Sequence, residues 1–282
     1  MEFKTRNQLV QMRRAGLVVA SALAAVRAAV RPGVRTRELD AVAAEVIRSA
    51  GATSSFLGYG ADQGVGGFRG VTCLSVNEEV VHGVPGDRVL VEGDLLSVDC
   101  GAVVDGWHGD AAVTVSVGDA APAEALALSE ATRSALGHGI AAARLGGHVG
   151  DISAAVERHV RSFDAGYGIV EEYVGHGIGS AMHQPPDVPN VSARGQLRGL
   201  AGRGPRIVEG LALAVEPMLT LGAPDNHVLA DDWTVVTDDG RLAAHWEHTM
   251  TVTERGIWVL TAEDGGEQLL AALGAPFGPL AD

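Results

Sequence analysis

Twice along this 282-residue chain a long helical stretch stops at glycine, a shorter capped helix follows, and strands come next. Thr5 to Val30 reads as the first helix, with Arg31-Pro32-Gly33 as its stop. Thr36 then caps a second helix reaching Ala50. The pattern returns from Pro122 to Arg144, with Gly146-Gly147 as the stop and Asp151 as the cap of a helix to Phe163. Gly33, Val42 and Val46 match Gly147, Val156 and Val160 at one constant offset. The order constrains the chain to two similar halves.

Each half then supplies strands. Leu95 to Val104 and Asp110 to Val117 flank Asp105-Gly106-Trp107-His108-Gly109, a turn signal. With the turn at Asp105-Gly106, Asp99 and Asp110 become diagonal neighbours on one face, because strand side chains alternate with period two. In the second half Leu211 to Val215 and Leu242 to Thr253 are strand-like. In the latter His245, Glu247 and Thr249 share a face, and Trp246, His248 and Met250 share the other. Gly60 to Gly67, and Val191 to Pro205 with Arg194, Arg198 and Arg203, read as surface loops near a site mouth. One domain is expected over residues 1–262, followed by a partly disordered tail over 263–282.

Five residues of metal-ligand type stand in order: Asp99, Asp110, His176, Glu216 and Glu247. Each has a plain alternative taken singly. Asp99 is an outward strand residue or an acid in need of a partner. His176, in Gly175-His176-Gly177-Ile178-Gly179, is an incidental turn residue or a group that glycine lets a ligand approach. Glu216 before Pro217 is a sheet-edge acid or a ligand, and Glu247 lies between Trp246 and His248 in an apolar strand. Together, four carboxylates and one imidazole are too acidic for a single structural zinc and suit two adjacent divalent cations. His183 is open between ligand, proton donor and loop residue, and His82, before Gly83-Val84-Pro85, reads as structural by itself. His245 is a candidate support for Glu247. His108, His138, His148, His159 and His227 are assigned to turns and solvated helix faces.

Composition narrows the class. With 46% apolar residues but only 4% aromatic, the core falls to Ala, Val and Leu. A net charge of −14 argues against nucleic-acid binding and favours a site that attracts cations. Two cysteines, Cys73 and Cys100, suggest neither a disulfide framework nor a thiolate zinc site, so a reducing cytoplasm is expected. The stretch Gly16 to Ala24 behind Lys4, Arg6, Arg13 and Arg14 resembles a signal peptide, but the helical pattern runs on past Arg27 without a cleavage site. Its apolar run reads as too short to span a membrane.

Five stretches together resemble the type I methionine aminopeptidases. They are Ser75 to Pro85 with Asn77-Glu78-Glu79 and His82-Gly83, Val98-Asp99 through Gly109-Asp110, Gly175 to Gly179, Val215-Glu216-Pro217-Met218, and Trp246-Glu247-His248-Thr249. The resemblance implies the α+β pita-bread fold: two pseudo-symmetric halves, with a curved antiparallel sheet covered by helices. It implies removal of an N-terminal methionine from peptides and nascent chains when the second residue is small, by a monomer that acts at the ribosome and binds neither membrane nor nucleic acid directly. It implies two divalent metal ions, of manganese, iron, cobalt or zinc. Asp110, His176, Glu216 and Glu247 would hold one ion, and Asp99, with Asp110 and Glu247 bridging, the other. Glu216 would also shuttle a proton, and His183 and His82 would contact the scissile peptide. The methionine pocket would draw on Tyr59, Phe68, Cys73, Met182 and Trp233.

The chain departs from that pattern around the pocket. Met182 stands where an aromatic is common, Gly67-Phe68-Arg69-Gly70-Val71-Thr72-Cys73 lacks the usual proline and serine, and extra residues separate Tyr59 from Phe68. The loop after His183 is also long. Two rival readings remain at this stage: an Xaa-Pro aminopeptidase or prolidase, and a non-catalytic pita-bread binding module. The first usually carries a histidine shortly before the Gly-His-Gly segment, where this chain has Glu171-Glu172-Tyr173. The second typically loses ligands that this chain keeps.

Overall fold

The computed structural model describes residues 1–61, 66–192 and 203–281. Much of the Gly60–Gly67 and Val191–Pro205 loops, including Arg194 and Arg198, lies outside them. The first half runs α1 (Arg6–Ala29), α2 (Thr36–Ser49), β1 (Thr53–Ser54), β2 (Thr72–Val76), β3 (Glu79–Val81), β4 (Leu95–Val104) and β5 (Trp107–Ser116). The second runs α3 (Ala123–Ala142), α4 (Val149–Val160), β6 (Gly168–Ile169), β7 (Gly175–Gly177), β8 (Gln184–Val188), β9 (Ala212–Val215) and β10 (Met218–Thr220). It continues through β11 (Asn226–Val228), β12 (Val235–Thr237), β13 (Ala243–His245), β14 (Glu247–Thr253), β15 (Gly256–Val259) and α5 (Glu267–Ala272). The main sheet is antiparallel in the order β1-β4-β5-β14-β9-β7-β8, with β2 on β4 and β15 on β14. The halves therefore join where β5 meets β14.

Helix α1 starts at Thr5, whose hydroxyl accepts from Gln8 N while the Gln8 side chain accepts from Thr5 N. Its buried face, including Leu9, Met12, Val19, Leu23 and Val26, recurs at helical spacing. With α2 it packs Val19, Val26, Leu39 and Ile47 against Leu74, Leu96 and Val98. The second helix pair does the same work for its own half, with Leu136, Ile140 and Ile152 against Leu213, Val215 and Met250. By length and composition α1 is apolar enough to cross a membrane, contrary to the sequence reading, but half of that stretch is buried inside the protein. It is the first core helix.

The duplication is real in register but displaced by one residue from the sequence match. Gly33 N donates to Leu90 O, and the equivalent donor is Gly146, not Gly147, to Ile207 O. Both glycines have positive φ, which the match of valines could not detect. The one-residue correction aligns Thr36, Leu39, Ala43 and Ile47 with Val149, Ile152, Val156 and Val160, all buried. It also corrects the caps. Thr36 is the first helical residue rather than the cap, and Asp151 lies inside α4, where its carboxylate accepts from His148 N just as Glu38 accepts from Arg35 N.

Two further expectations change. The run from Leu242 to Thr253 is two strands that break at Trp246, whose N–H donates to Pro217 O and whose indole N–H donates to Ser129 on α3. Opposite it, Pro217 divides β9 from β10, having no N–H to offer the sheet. In the tail, described to Ala281, Leu270 is fully buried, and Gly278 N donates to Ile257 O.

At Gly16 the helix backbone rests directly on its neighbours. A Cβ there would lie 2.2 Å from Leu260 O, and one on Gly109 of β5 would lie 2.7 Å from Gly16 N. Gly16→Ala is expected to lower stability by about 1–3 kcal/mol through overpacking, although alanine is the better helix former by about 1 kcal/mol. Urea unfolding checks it, and a stabilised variant would refute the contact.

Candidate active site

The β4–β5 hairpin turns at Asp105-Gly106, both with positive φ. Its register sets Asp99 opposite Ala112 and Asp110 opposite Gly101, the diagonal arrangement expected. Across the join, Glu247 also pairs with Ala112, so Asp99 and Glu247 flank one alanine on adjacent strands. In the next row Thr249 pairs with Ala214, and Ala214 with His176. The Thr249 hydroxyl donates to Asp110 O at 2.8 Å and lies 3.1 Å from Asp110 N. Ala112 and Ala214 project only a methyl group, which leaves open space above the sheet between the acids. Glu216 reaches the same space from the break at Pro217.

All five candidate ligands line one cleft of ≈ 490 Å³ together with His82 and His183. Ligand atoms of Asp110, His176 and Glu247 lie within 4.8 Å of one another. His176 Nδ1–H donates to Gly177 O at 3.0 Å, which leaves Nε2 as the acceptor, 3.5 Å from Glu216 Oε1. His245 stands behind the acids with Nε2 3.7 Å from Glu216 Oε2. His248 lies on the other face, hydrogen-bonded to Thr261.

The electrostatics are those of a cation site. Burial pushes Asp110 up to about 7. Asp99, Glu216 and Glu247 are raised well above the ordinary carboxylate range by burial first and then by the charge of Asp110, to which Glu216 adds for Asp99 and both Glu216 and Asp99 add for Glu247. Asp99 Oδ1, Asp110 Oδ1 and Glu247 Oε1 are buried with no hydrogen-bond partner among the described residues. Buried acids with orphaned oxygens are expensive, and a divalent ion bound among them supplies the missing partner. The donor set therefore fits divalent metal.

Beside the acids lies an apolar pocket. Phe56, Phe68, Cys73 and Met182 form one buried cluster, with Tyr59, Val84 and Trp233 packed against it. All five residues expected in the methionine pocket line the cleft, and so does Phe56, which sequence reading missed. A Cβ on Gly101 would lie 2.7 Å from the Phe56 ring, so the glycine in β4 admits it. His82 has φ 60 and packs its ring edge-on to Tyr173, and burial lowers it to about 4. His183 Nδ1 lies 2.7 Å from the Tyr59 hydroxyl, and its ring meets that of His176 at 4.3 Å. His108, read as a turn residue, is in β5 instead, with Nδ1 2.9 Å from Ser55 Oγ and close enough to His183 to be lowered by it after burial. His138 and His159 are a stacked pair between α3 and α4.

The sequence pattern of metallopeptidase family M24 matches residues 10–254. Methionine aminopeptidase 1 of Mycobacterium tuberculosis is 49% identical over 263 residues, covering 92% of this chain and 94% of the relative. Methionine aminopeptidase 1 of Bacillus subtilis is 42% identical over 258 residues, 92% of this chain and 98% of the relative. The methionine aminopeptidase structure from Thermotoga maritima superposes with a TM-score of 0.85 at 38% identity, covering 93% of this chain and all (100%) of that one. The prolidase from Pyrococcus furiosus has a TM-score of 0.70 at 19% identity, over 92% of this chain and 65% of that one, a likeness of fold alone. The chain belongs to the M24 metallopeptidases and has their pita-bread fold. Within that family it is of the type I methionine aminopeptidase kind.

A carboxyl whose folded pKa is raised favours the folded state while it holds its proton. That contribution is complete below the unfolded value and is lost as pH rises through the folded one. For Asp110 the window runs from 3.8 to about 7. The metal-free protein should therefore gain melting temperature between pH 8 and pH 6 relative to an Asp110→Asn variant. Equal pH slopes in the two proteins would show that the acids are not strained in this way.

Proposed function

We propose that this cleft removes N-terminal methionine from peptides and nascent chains whose second residue is small, using two divalent cations, of manganese, iron, cobalt or zinc. The observation that carries the reading is the joining of two features in one cleft: orphaned carboxylate oxygens on its floor and a closed apolar pocket on its wall. Asp110, His176, Glu216 and Glu247 would hold one ion. Asp99 would hold the other, with Asp110 and Glu247 shared. When bound, the ions supply Lewis acidity and a water of lowered pKa.

The protein's own groups do the rest. Glu216, at the edge of the cleft floor, can take a proton from the attacking water's position and return it to the leaving amine. His82 and His183 are neutral at pH 7, so each can give one N–H hydrogen bond to the scissile group as charge develops there. Phe56, Phe68, Cys73 and Met182 exclude water from the methionine side chain, and Tyr59 and Trp233 close the pocket. A thioether in this pocket meets aromatic edges and another sulfur, which suits its polarizability. Resemblance to the family supports a cytoplasmic monomer that meets nascent chains at the ribosome; the free cysteines suit a reducing compartment, and the charge of −14 argues against direct binding of the ribosomal RNA.

The test is hydrolysis of Met-Ala-Ser against Xaa-Pro-Ala peptides, by the metal-free protein and after each metal. Metal-dependent release of methionine from the first peptide alone is expected. Asp110→Asn should keep the fold and lose turnover, and His183→Ala should lower kcat by about 10²–10³-fold. Cleavage of the proline peptide, or near-wild-type turnover in Asp110→Asn, would overturn the reading.

A further inference from the structure

Met182, on the pocket wall, and His183, at the scissile position, are consecutive residues of one short loop between β7 and β8. That loop is tied from outside the site by the segment that precedes α1. The Glu2 carboxylate accepts three hydrogen bonds from it: Ser180 Oγ at 2.7 Å, Ser180 N at 3.0 Å and Gln184 Nε2 at 3.0 Å. Glu2 is itself fixed by Lys4, whose side chain is 1% exposed. Its ammonium donates to Glu2 O at 3.1 Å and lies 3.6 Å from Glu2 Oε2. Lys4 N in turn donates to Gly210 O, next to β9.

The glycines here are those that close approach demands. A Cβ on Gly179 would lie 2.1 Å from Glu2 Oε2 and 2.3 Å from Lys4 Cε, and one on Gly210 would lie 2.4 Å from Lys4 O. The last glycine of the Gly-His-Gly-Ile-Gly segment thus makes room for this clamp rather than for substrate. On its inner side the same loop is held by Tyr59 through His183 Nδ1 and by His108 N donating to Gly179 O at 2.9 Å. A loop fixed on both sides keeps little freedom to misplace the imidazole, and a misplacement of about 1 Å can cost 10²-fold in rate.

We infer that Glu2 is a positioning residue for the reaction: its carboxylate holds the Ser180–Gln184 loop so that Met182 walls the pocket and His183 faces the scissile bond. This rests on the reading of the cleft given above. Glu2 touches no substrate and acts only through the loop.

A double-mutant cycle tests it in the full chain loaded with Mn(II), with Met-Ala-Ser as substrate. Glu2→Ala is expected to lower kcat by about 10–100-fold, with metal content unchanged. In a His183→Ala background it should lower kcat by no further factor, since the group it positions is gone. Glu2→Gln, of the same size, covers the case in which the alanine variant does not fold, and should show a smaller loss that also vanishes without His183. Wild-type kcat in Glu2→Gln, or losses that multiply in the double variant, would overturn the inference. His183→Ala at wild-type rate would instead count against the reading of the cleft.

Discussion

Four carboxylates that repel one another sit on the floor of a largely apolar sheet, and the rest of the molecule is arranged around that conflict. Burying one unpaired charge costs several kcal/mol even after relaxation. Here Asp99, Asp110, Glu216 and Glu247 are all driven toward their protonated forms. Protons are the poor solution, since they leave Asp99 Oδ1, Asp110 Oδ1 and Glu247 Oε1 without partners. Divalent cations are the better one, and binding them must displace protons. Such tension is held only by a stiff frame, and the antiparallel ladders on either side supply it.

The frame also explains why both halves are needed. Asp99 and Asp110 come from the first half, and His176, Glu216 and Glu247 from the second. They meet because β5 pairs with β14, bringing Glu247 opposite Ala112. One duplicated unit has strands and a helix pair but only part of the site. Alanine at positions 112 and 214, between the acids, keeps larger side chains out of the space where charge must be neutralised. A single larger residue at Ala112 would occupy it.

Much of this was legible in the chain. The Asp105-Gly106 turn and the period of two fixed Asp99 and Asp110 on one face without any structure. Resemblance of five separate stretches brought in His82, His183 and the pocket. Other features were hidden for physical reasons. The sign of φ at Gly146 is not written in a sequence, so the repeat was matched one residue out. The run from Leu242 to Thr253 has the composition of one strand, and the break at Trp246 faces Pro217 and Ser129, both far away in sequence. Phe56 carries no local signal, because its place depends on a missing side chain at Gly101. The tail reads as disordered by its Gly and Pro, yet Leu270 and Phe277 find the core beside Ile257.

The pocket and the catalytic loop are less separable than a division into binding and chemistry suggests. Met182 packs with Phe56, Phe68 and Cys73, and the next residue along the chain is His183. On the proposed reading, a methionine side chain seated against Met182 would therefore press on the backbone that carries the imidazole. An aromatic at that position would present a stiff plane, whereas Met182 has three rotatable bonds and adapts to what it meets. That adaptability would loosen selection and alignment together unless the loop were fixed from elsewhere. Tyr59 supplies a fixed point on the imidazole side and the segment before α1 supplies one on the other. Softness at the pocket wall is thus compatible with a defined imidazole position, because the restraints fall on Ser180, Gln184 and the imidazole, and not on Met182.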